Sequence, residues 1–386
     1  MKSLTRHLLL AVTLCASALP LAAQNVDVDL SACRGMYAVL KAMRDGAPKP
    51  QISGMLDTLL ETRPYQTMFK HYNRSWRPNE LPKAVFKRMI LSLQFDGEYT
   101  LGENKRADIM RVRWTKFYPD LSSYESQLHQ LESANLHKLI NHGVRYAQQW
   151  LPSEWKIPGF YLPVIPNGGS PAFTIEGAQG YDFLQLSQQQ PGKIDFNWLV
   201  GTVAHESHHL GMRSTPPAGL SAADKSAYGV VTLCMAEGAA TEFISGPPAG
   251  RVPKLTVVPF HVFTPDLAKS WDEHVAEEEQ IVEHQAALLD KAVAGQLTQD
   301  AFDDDLRNYW LNGAVGRAYT LGSDMFGAIY TAFGKKGVFA AMQDPRQFFD
   351  LYNKALDAKP NILKRCVRMP DRAVEQALAI GREPHA

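Results

Sequence analysis

The chain has 386 residues, 45% hydrophobic and 10% aromatic, enough for a large core in two or three lobes rather than one small domain. Lys plus Arg equals Asp plus Glu at 40 each, so nothing in the charge balance points to nucleic acid or an anionic membrane surface as a partner. Beyond the N-terminus, no stretch is long and apolar enough to span a bilayer.

At the N-terminus, Lys2 and Arg6 precede an apolar stretch from Leu8 to Leu14, which continues through small residues to Leu21-Ala22-Ala23 before Gln24. This is the layout of a cleavable secretory signal over residues 1–23, and it predicts a periplasmic or secreted mature chain. The uncharged stretch reaches Val26, long enough for an uncleaved anchor, but Thr13, Ser17, Pro20 and the small-residue end favour cleavage. Cys15 follows Leu14 rather than a small residue, which speaks against a lipoprotein signal. In an oxidising compartment Cys33 and Cys366 could staple the ends of the mature chain and leave Cys234 free; the alternative is three buried thiols.

From Leu30 to about Tyr146 the apolar residues fall at three- and four-residue spacing, in Met36–Met43, Met55–Leu60, Ala84–Leu93 and Tyr124–Ile140, which predicts an N-terminal helical region. After Leu151 the character changes to short β-like runs, Gly159–Ile165, Ala172–Glu176 and Tyr181–Leu186. The loop Pro166–Pro171 and the turn Gly177–Gly180 separate them, and a small antiparallel sheet is expected. Ile194–Met212 then predicts a helix, with Asp195 or Asn197 as its cap and Gly211 at its end. A second, unusually apolar helix is expected from Ser221, whose Ser-x-x-Asp224 pattern resembles a capping box, through to Ser245. Past a Pro-rich connector, Pro265–Gly295, Gln299–Leu311, Arg317–Phe333, Pro345–Leu356 and Asp371–Ile380 again read as helices.

Within the first of these two helices stands His205-Glu206-Ser207-His208-His209. Two imidazoles four residues apart share one helix face, the spacing two ligands of a tetrahedral zinc require. Glu206 projects from the neighbouring face, where it can take a proton from a metal-activated water. The pattern also arises by chance in a chain with 12 histidines, and two satisfied structural histidines are the competing reading. His208 is expected at the cleft edge or supporting a ligand. A catalytic zinc normally takes three protein ligands, and Glu237 is the best third candidate. It interrupts an apolar run from Val230 to Ala236 and precedes Gly238-Ala239-Ala240, where a carboxylate is costly unless paired or ligated. Glu242 points about 140° away from it along a helix and is better suited to orienting a histidine.

His205-Glu-x-x-His209 followed by Glu237-Gly238-x-Ala240 resembles the gluzincin metallopeptidases, whose third zinc ligand is a glutamate, often within Asn-Glu-Gly-x-Ala. Ala236 replaces the asparagine, and the longer interval between the motifs implies an insertion at Arg213–Leu220. Tyr319-Thr320-Leu321-Gly322 resembles the Tyr-x-x-Gly of the gluzincin aminopeptidases, which implies an oxyanion-supporting role for Tyr319 beside the alternative of an apolar helix face with Met325, Phe326 and Ile329. Arg317 is read as a surface salt bridge rather than a carboxylate binder. The aminopeptidases' Gly-x-Met-Glu-Asn strand is not matched by Phe173-Thr174-Ile175-Glu176-Gly177. Overall the chain is similar to bacterial families of uncharacterised zinc-dependent peptidases.

The resemblance implies a predominantly α-helical α+β fold: a zincin-like core at 151–246, a helical region at 24–150 before it and a helical lobe at 247–386 after it. It further implies one Zn2+ held by His205, His209 and Glu237, with Glu206 as general base and Tyr319 supporting the oxyanion on a peptide or protein substrate. Two rivals remain: a zinc hydrolase of another amide or ester, and a noncatalytic zinc-containing periplasmic binding protein. The second would favour four closed ligands, often thiolates, yet only Cys234 lies near Glu237 in sequence.

Overall fold

The structure is a computed structural model that describes residues 25–74, 80–187, 190–212, 215–247, 252, 265–313 and 315–382. The expected signal segment lies outside these residues, as do Arg213 and Ser214 of the expected insertion.

The N-terminal region is helical as the periodicity predicts. Its helices are α1 (Ser31–Arg44), α2 (Lys49–Leu60), α3 (Arg63–Tyr72), α4 (Lys83–Leu91), α5 (Lys105–Phe117), α6 (Leu121–Ser133) and α7 (Leu136–Gln148). The apolar run from Tyr124 to Ile140 is divided between α6 and α7, because Asn135 breaks the first and caps the second, accepting from the Lys138 amide.

Four strands form the sheet: β1 (Val26–Asp29), β2 (Phe160–Ile165), β3 (Ala172–Ile175) and β4 (Ala178–Asp182), in the order β1-β2-β4-β3. The sheet is mixed, which corrects the expected antiparallel one: β1 with β2 and β2 with β4 are parallel, and only β3 with β4 is antiparallel. Local turn signals reveal hairpins such as β3–β4, whereas parallel partners come together over long crossovers that leave no mark between adjacent runs. β2 is buried throughout, in keeping with its unbroken apolar run. Phe183–Gln185, expected as strand, forms a 3-10 turn.

The helix α8 (Phe196–Gly211) packs between α7 and the sheet, its start fixed by Asp195 Oδ1, which accepts from the Trp198 amide at 2.9 Å. Gly143 lets α7 approach closely, since a Cβ there would lie 2.7 Å from Val200 O. The expected single helix from Ser221 to Ser245 is instead α9 (Ala222–Thr232), α10 (Met235–Ala240) and a π-helical turn, Thr241–Ser245. The C-terminal part contains α11 (Pro265–Ala276), α12 (Glu278–Val293), α13 (Gln299–Asp305), α14 (Arg317–Gln343), α15 (Phe348–Ala358) and α16 (Asp371–Ala379). Gly334, at φ +61°, interrupts α14 just past the end expected at Phe333. Pro265–Gly295 divides at Glu277 into α11 and α12.

One continuous hydrophobic core runs from Val26 to Ile380. Among the described residues, no helix is long and apolar enough to cross a membrane. The Cys33–Cys366 staple does not form: all three described cysteines are free, and Cys33 is buried with its thiol donating to Val164 O at 3.2 Å. Cys366 is only partly buried, so the three-buried-thiols alternative holds for Cys33 and Cys234 alone.

Candidate metal centre

His205 and His209 stand one turn apart on α8, their rings edge to face with centroids 4.7 Å apart. His205 Nδ1 lies 2.8 Å from Ser245 Oγ, which leaves Nε2 to face the space between the helices. From α10, Glu237 reaches into that space, with Oε2 at 3.2 Å from the Nε2 of each histidine. One ligand atom from each of the three lies within 4.8 Å of the others, so this group can hold a metal ion. Two imidazole nitrogens and a carboxylate oxygen are a donor set that suits zinc and leaves a fourth position open.

The electrostatics follow from that convergence. Burial alone would raise the Glu237 carboxyl, but the adjacent His209 charge and hydrogen bonds from both histidines hold it well below the usual carboxylate range. His209 shows the converse: burial lowers its pKa, yet the Glu237 charge prevails and lifts it to about 9. Without a cation between them the groups therefore form a charged pair.

The backbone crossing that places Glu237 depends on two glycines of the quoted motifs. Gly238 on α10 faces Gly322 on α14; a Cβ on Gly238 would overlap the Gly322 backbone, and one on Gly322 would overlap Cys234 O. The two helices thus touch main chain to main chain, which brings Tyr319, one turn before Gly322, beside the histidines. Its ring lies nearly parallel to that of His205, at 14° and 6.4 Å between centroids.

Glu206 points toward the sheet, where Thr174 Oγ1 of β3 donates to its Oε2 at 2.5 Å. β3 is an edge strand. The Asp182 amide donates to Pro171 O, and hydrogen-bonded pairs alternate along an antiparallel ladder, so Ala172 and Thr174 turn their peptide groups away from β4. Arg74 donates to the outward carbonyl of Thr174. A surface cavity of about 690 Å3 opens beside this edge, bounded by Phe69, Lys70, Arg74, Ile175 and Glu176.

The other candidates take different places. His208 is fully buried rather than at a cleft edge: Nε2 faces Trp150 O at 3.3 Å, and Nδ1 has no hydrogen-bond partner among the described residues. Burial, with the His209 charge, lowers its pKa to about 3. At His205 the orienting contact is Ser245, while Glu242 accepts from Ser323 Oγ at 2.6 Å. The π-helical turn resets the angular relation that an α-helix would impose after Glu237. Arg317 pairs with Glu277 at 3.0 Å, as expected. Glu176 sits at φ +42° on the exposed β3–β4 turn and pairs with Lys70. Cys234 is buried with Sγ 3.9 Å from Gln285 Oε1, and burial pushes its pKa up. Among the described residues, the metal-capable group includes no thiol.

Thr174, Ser245 and Arg74 are the contacts that sequence reasoning missed. Each reaches the site across 32 or more residues, or through another residue, and Ser and Thr are too common to stand out. The one available signal was Thr174 at the centre of the β-like run Ala172–Glu176, ahead of the helix that carries the histidines.

In this α+β, largely helical fold, two helical histidines and a glutamate converge beside the Glu206 carboxylate and offer the donor set of a zinc site. More particularly, the chain belongs to the family described as "Putative zinc dependent peptidase (DUF5700)", whose profile matches residues 56–361 and so contains every candidate residue named above. No curated protein and no solved structure matches the chain.

Proposed function

We propose that the protein is a zinc-dependent peptidase exported by its N-terminal signal, with His205, His209 and Glu237 holding one ion and Glu206 acting as general base. The observation that carries this reading is the convergence of three ligand atoms within 4.8 Å, with the Glu206 carboxylate held on the adjoining sheet edge. Zinc bound there supplies a Lewis acid that polarises a carbonyl and lowers the pKa of its water toward about 7.

Glu206 takes a proton from the attacking water and returns it to the leaving amine, so that a C–O bond replaces the peptide C–N bond. Ser245 supports His205 by fixing which ring nitrogen faces Glu237. Tyr319, stacked along His205, is suited to donate its hydroxyl to the carbonyl oxygen as negative charge develops. An extended peptide adding to β3 meets the outward peptide groups of Ala172 and the Thr174 amide, since the Thr174 carbonyl is already engaged by Arg74.

The test pairs zinc content with cleavage of a mixed peptide library for the native protein and Glu206→Gln. The expected result is retained zinc with turnover lowered by about 10²–10⁴-fold, the span of a lost general base. Unchanged cleavage in the variant, or no cleavage by the zinc-loaded native protein, refutes the reading.

A further inference from the structure

We propose that Thr174 is the positioning residue of Glu206: its hydroxyl holds one carboxylate oxygen and leaves the other to exchange the proton. The inference rests on Glu206 being the base, and extends that reading to a residue outside the zinc-binding motifs.

The geometry has three parts. Thr174 Oγ1 donates to Glu206 Oε2 at 2.5 Å, and among the described residues this is the one hydrogen bond to that carboxylate. A glutamate on a helix face has three rotatable side-chain bonds, so a single strong donor sets which way its oxygens point. Second, the strand bearing the hydroxyl is pinned on both sides. Toward β4, the Phe173 ring occupies the space over Gly180, where a Cβ would collide with it, and stacks on His71 with centroids 4.0 Å apart. Toward the open edge, the Arg74 guanidinium binds the Thr174 carbonyl.

Third, Arg74 is half-buried and is attracted by the charges of both Glu206 and Glu176. It therefore braces the strand from the side on which these carboxylates lie. The donor and the brace meet at one residue, whose side chain and main chain do separate work. Serine reproduces the hydroxyl, and valine the β-branched shape that suits a strand without it.

The experiment compares Thr174→Val and Thr174→Ser with the native protein at equal zinc content. The expected result is a kcat about 10–100-fold lower for valine, the usual cost of losing a group that orients a reacting one, with KM little changed and serine restoring most of the turnover. A second readout is independent of turnover: the Cδ carboxyl signal of Glu206 in carbon-13-labelled, metal-free protein, assigned by its loss in Glu206→Gln. Valine should displace that signal and serine should not. Thr174→Ala serves if valine does not fold.

A native kcat with an unmoved carboxyl signal in the valine variant overturns the inference, as does a serine variant no better than valine. If the native protein cleaves no peptide, the peptidase reading fails, while the carboxyl signal still decides whether Thr174 holds Glu206.

Discussion

His208 and His209 are adjacent in the chain and opposite in electrostatics. His209 faces Glu237 and is driven toward its charged form, whereas His208 turns into the core, where burial disfavours a charge. One residue is 100° of helix, and that rotation separates a candidate ligand from a packing residue. A pH dependence follows. Unfolded, His208 takes up a proton near pH 6.5; folded, it resists until about 3. Between those values the unfolded state binds more protons, so this residue's contribution to stability is intact above about pH 6.5 and is lost as pH falls toward 3. In metal-free protein, unfolding free energy measured by urea titration from pH 7 to 4.5 should fall more steeply for the native chain than for His208→Leu. The difference should approach one proton, about 1.4 kcal/mol per pH unit at most. Parallel slopes would mean that His208 is hydrated or paired in the folded protein.

At the scale of elements, the crossing of α10 and α14 does for Glu237 and Tyr319 what the helical repeat does for His205 and His209. Gly238 and Gly322 are spaced from Glu237 and Tyr319 by one and three residues, and each lets the other's main chain approach. Gly322→Ala should therefore destabilise the protein by about 1–3 kcal/mol or more, the range for overpacking, because the obstructing atoms are backbone and cannot change rotamer. Gly229→Ala within α9 is the contrasting case. Its nearest neighbour is Phe302 Cζ at 3.8 Å, so it should gain about 0.5–1 kcal/mol from helix propensity. Equal and small effects in thermal denaturation would show that the helices do not cross at Gly322. The sequence pattern made α8 legible to within two residues, because apolar periodicity and the Asp195 cap agree there. The break of the following segment into α9, α10 and a π-turn was not legible: it falls within the run Val230–Ala236, which is apolar except for Thr232, so no period marks where the axis changes. The pairing of β1 with β2 was hidden for a different reason, as more than 120 residues separate two strands whose own composition names no partner.

Across the whole molecule, the candidate ligands come from elements that meet only when the core is complete. α8 rests on α7 and the sheet, α10 on α14, and α14 in turn on α15. His205, Glu206, His209 and Glu237 stand out in the sequence as candidates because their types and spacing suggest chemistry; the bodies that bring them together could be anticipated only as generic helices. That division has a thermodynamic consequence, since an ion held between α8 and α10 binds the folded chain and not the unfolded one. At a free zinc concentration 100 times its Kd, the folded state gains about 2.7 kcal/mol. Scanning calorimetry with and without a chelator should therefore show a lower Tm for the chelated native protein, whereas Glu237→Ala, lacking the third ligand, should melt at one temperature in both conditions. Glu206→Gln should keep the full chelator-dependent shift, because Glu206 bonds to Thr174 and lies outside the ligand group. A chelator effect that survives Glu237→Ala would move the third ligand elsewhere; one that vanishes in Glu206→Gln would make Glu206 a ligand instead of a base.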